Sequence, residues 1–198
     1  NDAELCRNFD KMGVLYLKED AREEDNPPIR LKNNRFVKMF ESLTGMYGMP
    51  DYGEYDPTPV VSIFFLLFFA MCLGDAGYGL VLIIVGLAIK KGWLKISMFD
   101  GIGGLIATLG AATAVIGGAL GTFFGMSIIN LVPEGTAIWK YYKFVGSNMA
   151  TPMGELPFQM LLALGIGVFH ICLAMVIKAV GYTKRLGFKE NIATWGWT

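Results

Sequence analysis

Histidine is all but missing from this chain. His170 is its one copy, so a multi-histidine metal centre is excluded within the sequence. Cysteine is scarce as well. Cys6, Cys72 and Cys172 are far apart, two of them in apolar stretches, and they read as small buried hydrophobes rather than disulfide or metal partners. No G-x-x-x-x-G-K-[ST] loop is present to cradle a nucleotide phosphate, and neither H-E-x-x-H nor a nucleophile elbow occurs. Gly101-Ile102-Gly103-Gly104 is too loose for a dinucleotide fingerprint and reads as the start of a packed helix. Charged residues make up only 17% of the chain, with 17 bases against 17 acids. Residues 1–57 carry twelve acids and eight bases, a net of −4, which argues against a nucleic-acid surface. The expectation is therefore no catalytic residue, no metal site and no cofactor.

What remains is apolar. Hydrophobic residues are 54% of the chain, the mean hydropathy is +0.46, and there are 25 glycines. Val60–Ile89, Gly101–Val132 and Leu156–Ile177 are long enough to cross a bilayer, and none of them holds a lysine or arginine. None is N-terminal, so none reads as a signal peptide. The first is interrupted by Gly74-Asp75-Ala76-Gly77-Tyr78-Gly79, where Asp75 is its sole charge. A carboxylate within lipid-length apolar sequence is costly, and three glycines in six residues break a helix. As one helix Val60–Ile89 would be about 45 Å long, well beyond the roughly 30 Å hydrocarbon core. Split at the glycines, it becomes a hairpin of two short helices. Lysine clusters follow the first and third stretches (Lys90, Lys91, Lys95; Lys178, Lys184, Arg185, Lys189). The hairpin puts both on the same side as residues 1–57, as the positive-inside rule favours.

The expected fold is an all-α membrane protein: a bundle of about four transmembrane helices preceded by the end of a cytoplasmic α/β domain. Residues 1–57 form the domain end and entry segment, and 58–198 the membrane region. Helices are expected at about 59–74, 77–94, 101–121 and 156–178, with a further one starting at 191–198. Thr122–Glu155 is expected to be a loop on the far side, punctuated by Pro133, Pro152 and Pro157. In the entry segment, Val14–Leu17 could form a strand and Glu19–Asp25 is a solvated charge run. Asn26-Pro27-Pro28 breaks any helix. Asn34–Tyr47 has helical spacing, with Phe36, Met39, Phe40 and Leu43 on one face. Asp75 has no cation within the apolar stretches to pair with. It is read as a hydrogen-bond anchor at the hairpin, with backbone, Tyr78 or a helix outside this fragment as partner. Lining an aqueous cavity and direct ion coupling are the alternatives. His170 reads as a hydrogen-bonded interhelical histidine or a proton relay. Gly117, Gly121 and Gly125 form two overlapping G-x-x-x-G steps, read as tight helix packing, with a hinge as the alternative.

An ordered set of short pieces carries a resemblance. They are Asn26-Pro27-Pro28, Leu31-Lys32-Asn33-Asn34-Arg35-Phe36, Phe40-Glu41, Met46-Tyr47-Gly48-Met49-Pro50, Tyr52-Gly53-Glu54, Asp56-Pro57-Thr58-Pro59, the Phe64–Phe69 cluster and Gly74–Leu80. Together they resemble the membrane stator subunit of V/A-type rotary ATPases, subunit I in prokaryotes and subunit a in eukaryotes. Weaker similarity continues through Phe123–Ser127 and Gly165–His170. Tyr78 stands where eukaryotic members typically have histidine, which points to a prokaryotic subunit of the cytoplasmic membrane. Met39 departs from the proline common before the Phe-Glu pair. The resemblance implies a cytoplasmic domain joined to peripheral stalks, then eight membrane helices, the last of which face a rotating proteolipid ring. An essential arginine of the seventh helix has no counterpart here. The chain is expected to be a fragment carrying roughly the first four helices, so the resemblance assigns it no ion-path residue. On this reading it supports proton or sodium transport as a non-catalytic stator element, with the proteolipid ring, peripheral-stalk subunits and lipid as partners. The alternative is a stand-alone small transporter or channel, which would need inverted repeats or broken helices lined by polar groups. One broken segment is present and no clear repeat.

Overall fold

A two-residue break divides the first apolar stretch. Helix α3, Thr58–Leu73, stops at Gly74, and α4, Ala76–Lys90, starts after Asp75. This is a computed structural model that describes residues 2–17, 31–50, 54–94, 101–152, 154–187 and 195–196. The Glu19–Asp25 charge run, the Asn26-Pro27-Pro28 break, Lys95 and Lys189 lie outside the described residues. So does all but Trp195-Gly196 of the helix expected at 191–198.

Ahead of α3 come α1, Asp2–Met12, a 3-10 turn over Val37–Phe40, and α2, Glu41–Tyr47. After α4 follow α5, Gly103–Leu120, the hairpin β1–β2 (Thr122–Phe123 and Met126–Ser127), a second 3-10 turn at Ile128–Leu131, and α6, Ala137–Val145. The hairpin β3–β4 (Asn148–Thr151 and Gly154–Pro157) leads into α7, Phe158–Leu186. Both hairpins are antiparallel, with Thr122 opposite Ser127 and Asn148 opposite Pro157. The protein is thus mostly helical rather than all-α. Several expectations change. Val14–Leu17 forms no strand, and no strand stands before Thr122 among the described residues. The 122–155 segment is no plain loop. It holds two hairpins and an amphipathic helix whose short elements carry too few residues for a periodicity signal. Helix α4 ends at Lys90, because Gly92 at φ +74° turns the chain away.

Two helices, Gly103–Leu120 and Phe158–Lys184, are long and apolar enough to cross a membrane. The 16 and 15 residues of α3 and α4 make rods of about 24 and 22 Å at 1.5 Å per residue, shorter than a roughly 30 Å hydrocarbon core.

The packing centre is α5. It lies against α4 backbone to backbone. A Cβ on Gly110 would come 2.6 Å from the Ile83 amide nitrogen, and one on Gly103 would come 2.7 Å from that of Lys90. Gly79 meets Ala114, Gly86 meets Ala107 and Gly117 meets Ala76 in the same way. The two helices therefore run antiparallel. Gly79 and Gly86 on one, and Gly103, Gly110 and Gly117 on the other, recur every seven residues. That spacing is two helical turns and keeps a stripe on one face. Without side chains between them the helices gain close van der Waals contact.

On its other side α5 meets α3 and the entry segment. Phe40, Leu105 and Leu109 are buried together, with Met39, Leu43, Leu66, Phe69 and Ile102 packed around them. Phe36 sits at the rim of this cluster, its ring 5.4 Å from that of Phe40. The entry segment is pinned by polar links. The Asn33 amide donates to Glu41 Oε1 (3.0 Å) and Asp56 Oδ2 (2.8 Å), while Asp56 Oδ1 accepts the Thr58 N–H (2.9 Å). The buried Thr44 hydroxyl donates to that of Thr58 at 3.1 Å. Polar side chains inside the apolar helices are satisfied locally: Ser62 donates to the Pro59 carbonyl, Thr113 to Leu109 and Thr108 to Gly104, each at 2.8 Å. Such back-bonding lets a hydroxyl sit among apolar groups without an unmet donor.

Helix α7 touches α3 through Phe169 and His170 against Phe64. It runs antiparallel to α3, so Lys178 and Lys184 stand beside Pro57. Lys90 and the start of α5 lie at that same end. The Gly74–Asp75 turn, the hairpin β1–β2 and α6 lie at the other. Cys72 and Cys172 are exposed and Cys6 half-buried, none in a disulfide. The expected burial fails because α3 and α7 are apolar on every side, and a helix without an apolar stripe does not declare which face turns inward.

Candidate functional site

The turn Gly74–Gly79 has a physical reason at each position. Gly74 closes α3 in the left-handed region, φ +54°, a conformation that favours glycine. Asp75 is extended and caps α4, its Oδ1 accepting the N–H groups of Gly77 (2.8 Å) and Tyr78 (3.2 Å). The same oxygen accepts the Phe124 N–H at 2.8 Å, and Oδ2 accepts the Gly125 N–H at 2.6 Å. One buried carboxylate thus ties the start of α4 to the tip of the β1–β2 hairpin, 50 residues on. The Thr122 hydroxyl, donating to the Gly74 carbonyl, adds a second tie between the same segments.

Apolar contacts reinforce these bonds. The Phe124 ring lies over Gly77, where a Cβ would come 2.6 Å from Phe124 Cγ. Tyr78 meets Phe124 edge-on with centroids 5.5 Å apart, and Phe123 meets it at 4.9 Å. Phe124 has φ +48°, a left-handed conformation uncommon outside glycine and asparagine. That conformation aims two successive N–H groups at Asp75. Gly117 must be glycine because the Ala76 amide abuts it, and Gly79 must be glycine because α5 crosses it at Ala114.

All four partners of Asp75 are N–H donors. An ionised carboxylate is acceptor-only, with about four lone-pair sites over its two oxygens, and here Oδ1 takes three N–H groups and Oδ2 one. A hydrogen bond to a charged group contributes roughly 1.5–3 kcal/mol, which makes this the strongest single tie between α4 and the segment after α5. Among the described residues no buried side-chain polar atom lacks a partner. The arrangement fixes the geometry of the turn.

The other candidates are distributed differently. Gly117 lies in the α4–α5 seam. Gly121 ends α5 at φ +80°, with the Tyr142 ring of α6 where its Cβ would be, and the Tyr142 hydroxyl donates to the Gly118 carbonyl at 3.0 Å. Gly125 lies beyond the helix, φ +75°, in the hairpin tip that reaches Asp75. The three do not share one helix face, because α5 stops at Leu120. His170 is half-buried and stacked on Phe64, centroids 4.2 Å apart, with Phe68 at 6.0 Å. Its described contacts are these rings, and the fold does not bring it to Asp75. Sequence reasoning missed Thr122, Phe124 and Tyr142, whose roles depend on long-range contacts. It also missed the Gly79–Gly86 and Gly103–Gly110 stripe, for which the sevenfold spacing is the available signal.

Comparison with known proteins carries this geometry to a family. Residues 8–96 match the V-type ATPase 116kDa subunit family. The A-type ATP synthase subunit I of Methanocaldococcus jannaschii is 32% identical, the match covering 96% of this chain and 29% of that protein. Its namesake in Pyrococcus horikoshii is 34% identical over 80% of this chain and 23% of the relative. That of Archaeoglobus fulgidus is 42% identical over 52% and 16%. The chain spans less than a third of the length of these curated relatives. With its glycine-broken first apolar stretch inside the matched residues and subunit I relatives aligned along nearly its whole length, the chain belongs to the V-type ATPase 116kDa subunit family.

Proposed function

We propose that this chain is the first part of the membrane region of a stator subunit in a prokaryotic rotary ATPase, and that it braces ion transport without carrying it. The observation behind this is the Asp75 clasp. The single carboxylate of the first apolar stretch spends both oxygens on four backbone N–H groups, as an anchor does and an ion-exchanging carboxylate does not. The glycine seam and the subunit I relatives support the same reading. On it, α3, α4, α5 and α7 are membrane helices, the lysine-bearing ends face the cytoplasm as the positive-inside rule favours, and α6 lies on the opposite side. The proteolipid ring and the peripheral stalks are the partners, and residues outside this chain form the ion path.

The test uses the whole complex in membrane vesicles. Gly117→Leu forces a side chain into the α4 backbone and should lower the amount of assembled complex, with ion pumping per assembled complex unchanged. Normal assembly with pumping abolished would overturn the bracing role. Cysteines placed at Lys91 and Lys140 should label from opposite sides, and labelling of both from one side refutes the topology.

A further inference from the structure

Between the start of α3 and the end of α7 lies a cavity of about 770 Å³, within the roughly 300–1,000 Å³ range of small-ligand sites. It is amphipathic. Val60 and Val61 of α3 and Ala174 and Ile177 of α7 form apolar walls. At the mouth stand Lys178 and Lys184, and the Lys178 ammonium sits 5.9 Å from the centre of the Tyr182 ring. His170 closes the inner end, where it stacks on Phe64. Glu54 lines the entry-segment side, already engaged in an interaction of its own.

The two halves of this lining restrict the occupant. A free inorganic anion would be drawn to the lysines but gains nothing from an aliphatic wall several residues deep. A neutral hydrocarbon chain would suit the wall and leave two ammonium groups against the single Glu54 carboxylate, which already has an interaction of its own. A molecule with an anionic head and a hydrocarbon tail satisfies both. The mouth also lies at the lysine-bearing end of the bundle, where Lys90 and Lys91 stand, and such basic clusters attract anionic headgroups. We infer that this crevice holds one anionic phospholipid, its phosphate between Lys178 and Lys184 and its acyl chain along Val60, Val61, Ala174 and Ile177. The site rests on the membrane placement proposed above, and not on the rotary role.

The experiment is native mass spectrometry of the full-length subunit released from nanodiscs of mixed phosphatidylglycerol and phosphatidylcholine. The wild type should retain one phosphatidylglycerol in preference to phosphatidylcholine. Each lysine near an anionic headgroup is worth roughly fivefold, so Lys178→Gln with Lys184→Gln should cut that preference about thirtyfold. Ala174→Trp, which fills the wall and leaves the lysines, should lose the retained lipid whatever its headgroup. Unchanged preference in the double variant overturns the site. So does a cysteine at Ala174 that cross-links to another protein segment while no lipid is retained, since a further helix would then fill the crevice. Carbonate extraction separates the two levels of inference. A subunit that inserts into membranes but shows no headgroup preference refutes this site alone, whereas one that fails to insert refutes the membrane placement too.

Discussion

Replacing Asp75 by asparagine separates a plain helix cap from a clasp. As N-caps the two residues rank nearly equal, so if capping α4 were the whole role the change would be nearly neutral. The structure assigns more to the side chain. Oδ1 takes the N–H groups of Gly77, Tyr78 and Phe124, and Oδ2 takes that of Gly125 at 2.6 Å. An amide has one oxygen. If that oxygen keeps the three-bond position, its NH₂ group faces the Gly125 N–H, donor against donor. The Gly125 bond, roughly 1.5–3 kcal/mol for a charged acceptor, is lost. The remaining three fall from charge-assisted to neutral strength, about half. The expected cost is about 4–7 kcal/mol, against about 0.5 kcal/mol or less for a bare cap exchange. Two measurements read it. Unfolding of the purified subunit in mixed micelles, followed by circular dichroism, should shift by that amount. Hydrogen exchange should accelerate at Phe124 and Gly125 while the middle of α4 stays protected. A variant matching wild type within about 0.5 kcal/mol, with both amides still protected, would refute the two-oxygen clasp.

The seam and the stacked histidine give further tests. Gly110→Ala should destabilise by about 1–3 kcal/mol, because its Cβ meets the α4 backbone, which has no rotamer to yield. Gly118→Ala, one helix face away with open space at its Cβ, should stabilise by about 0.4–1 kcal/mol, and a scan in which both behave alike contradicts the backbone contact. His170→Phe should leave the docking of α7 on α3 intact, whereas His170→Ala should cost about 0.5–1.5 kcal/mol of ring contact in a double-mutant cycle with Phe64→Leu. Loss of docking in His170→Phe would show that the imidazole nitrogens, and not the ring face, hold the helix.

The break at Gly74–Asp75 was legible because glycines and a lone carboxylate are local signals, and so were the apolar lengths of α5 and α7. The packing of Met39, Phe40 and Leu43 into one cluster followed from helical spacing, although Phe36 of the same expected face stays exposed and the first turn proved to be 3-10. What the sequence did not disclose is contact across distance. Asp75 finds half its partners 49 and 50 positions away, and Phe124 acts through its backbone angle, which no side-chain pattern reports. Gly117, Gly121 and Gly125 drew attention by their fourfold spacing, yet α5 ends at Leu120 and splits the set among a seam, a cap and a hairpin tip. Helices apolar on every side hid the exposure of Cys72 and Cys172, since uniform hydrophobicity carries no direction.

The glycine seam has a mechanical meaning. Where helices meet through side chains, rotamer changes let one slide past the other. Between α4 and α5 the contacts are peptide against peptide, at Gly79, Gly86, Gly103, Gly110 and Gly117, and a packed interior transmits strain instead of absorbing it. The pair behaves as one laminated beam, riveted at one end by the Asp75 carboxylate. A sideways load at the Lys90 end then arrives at the hairpin tip as displacement, not as loosened packing. In the bracing role proposed above, the pair would gain its stiffness from the smallest residue available.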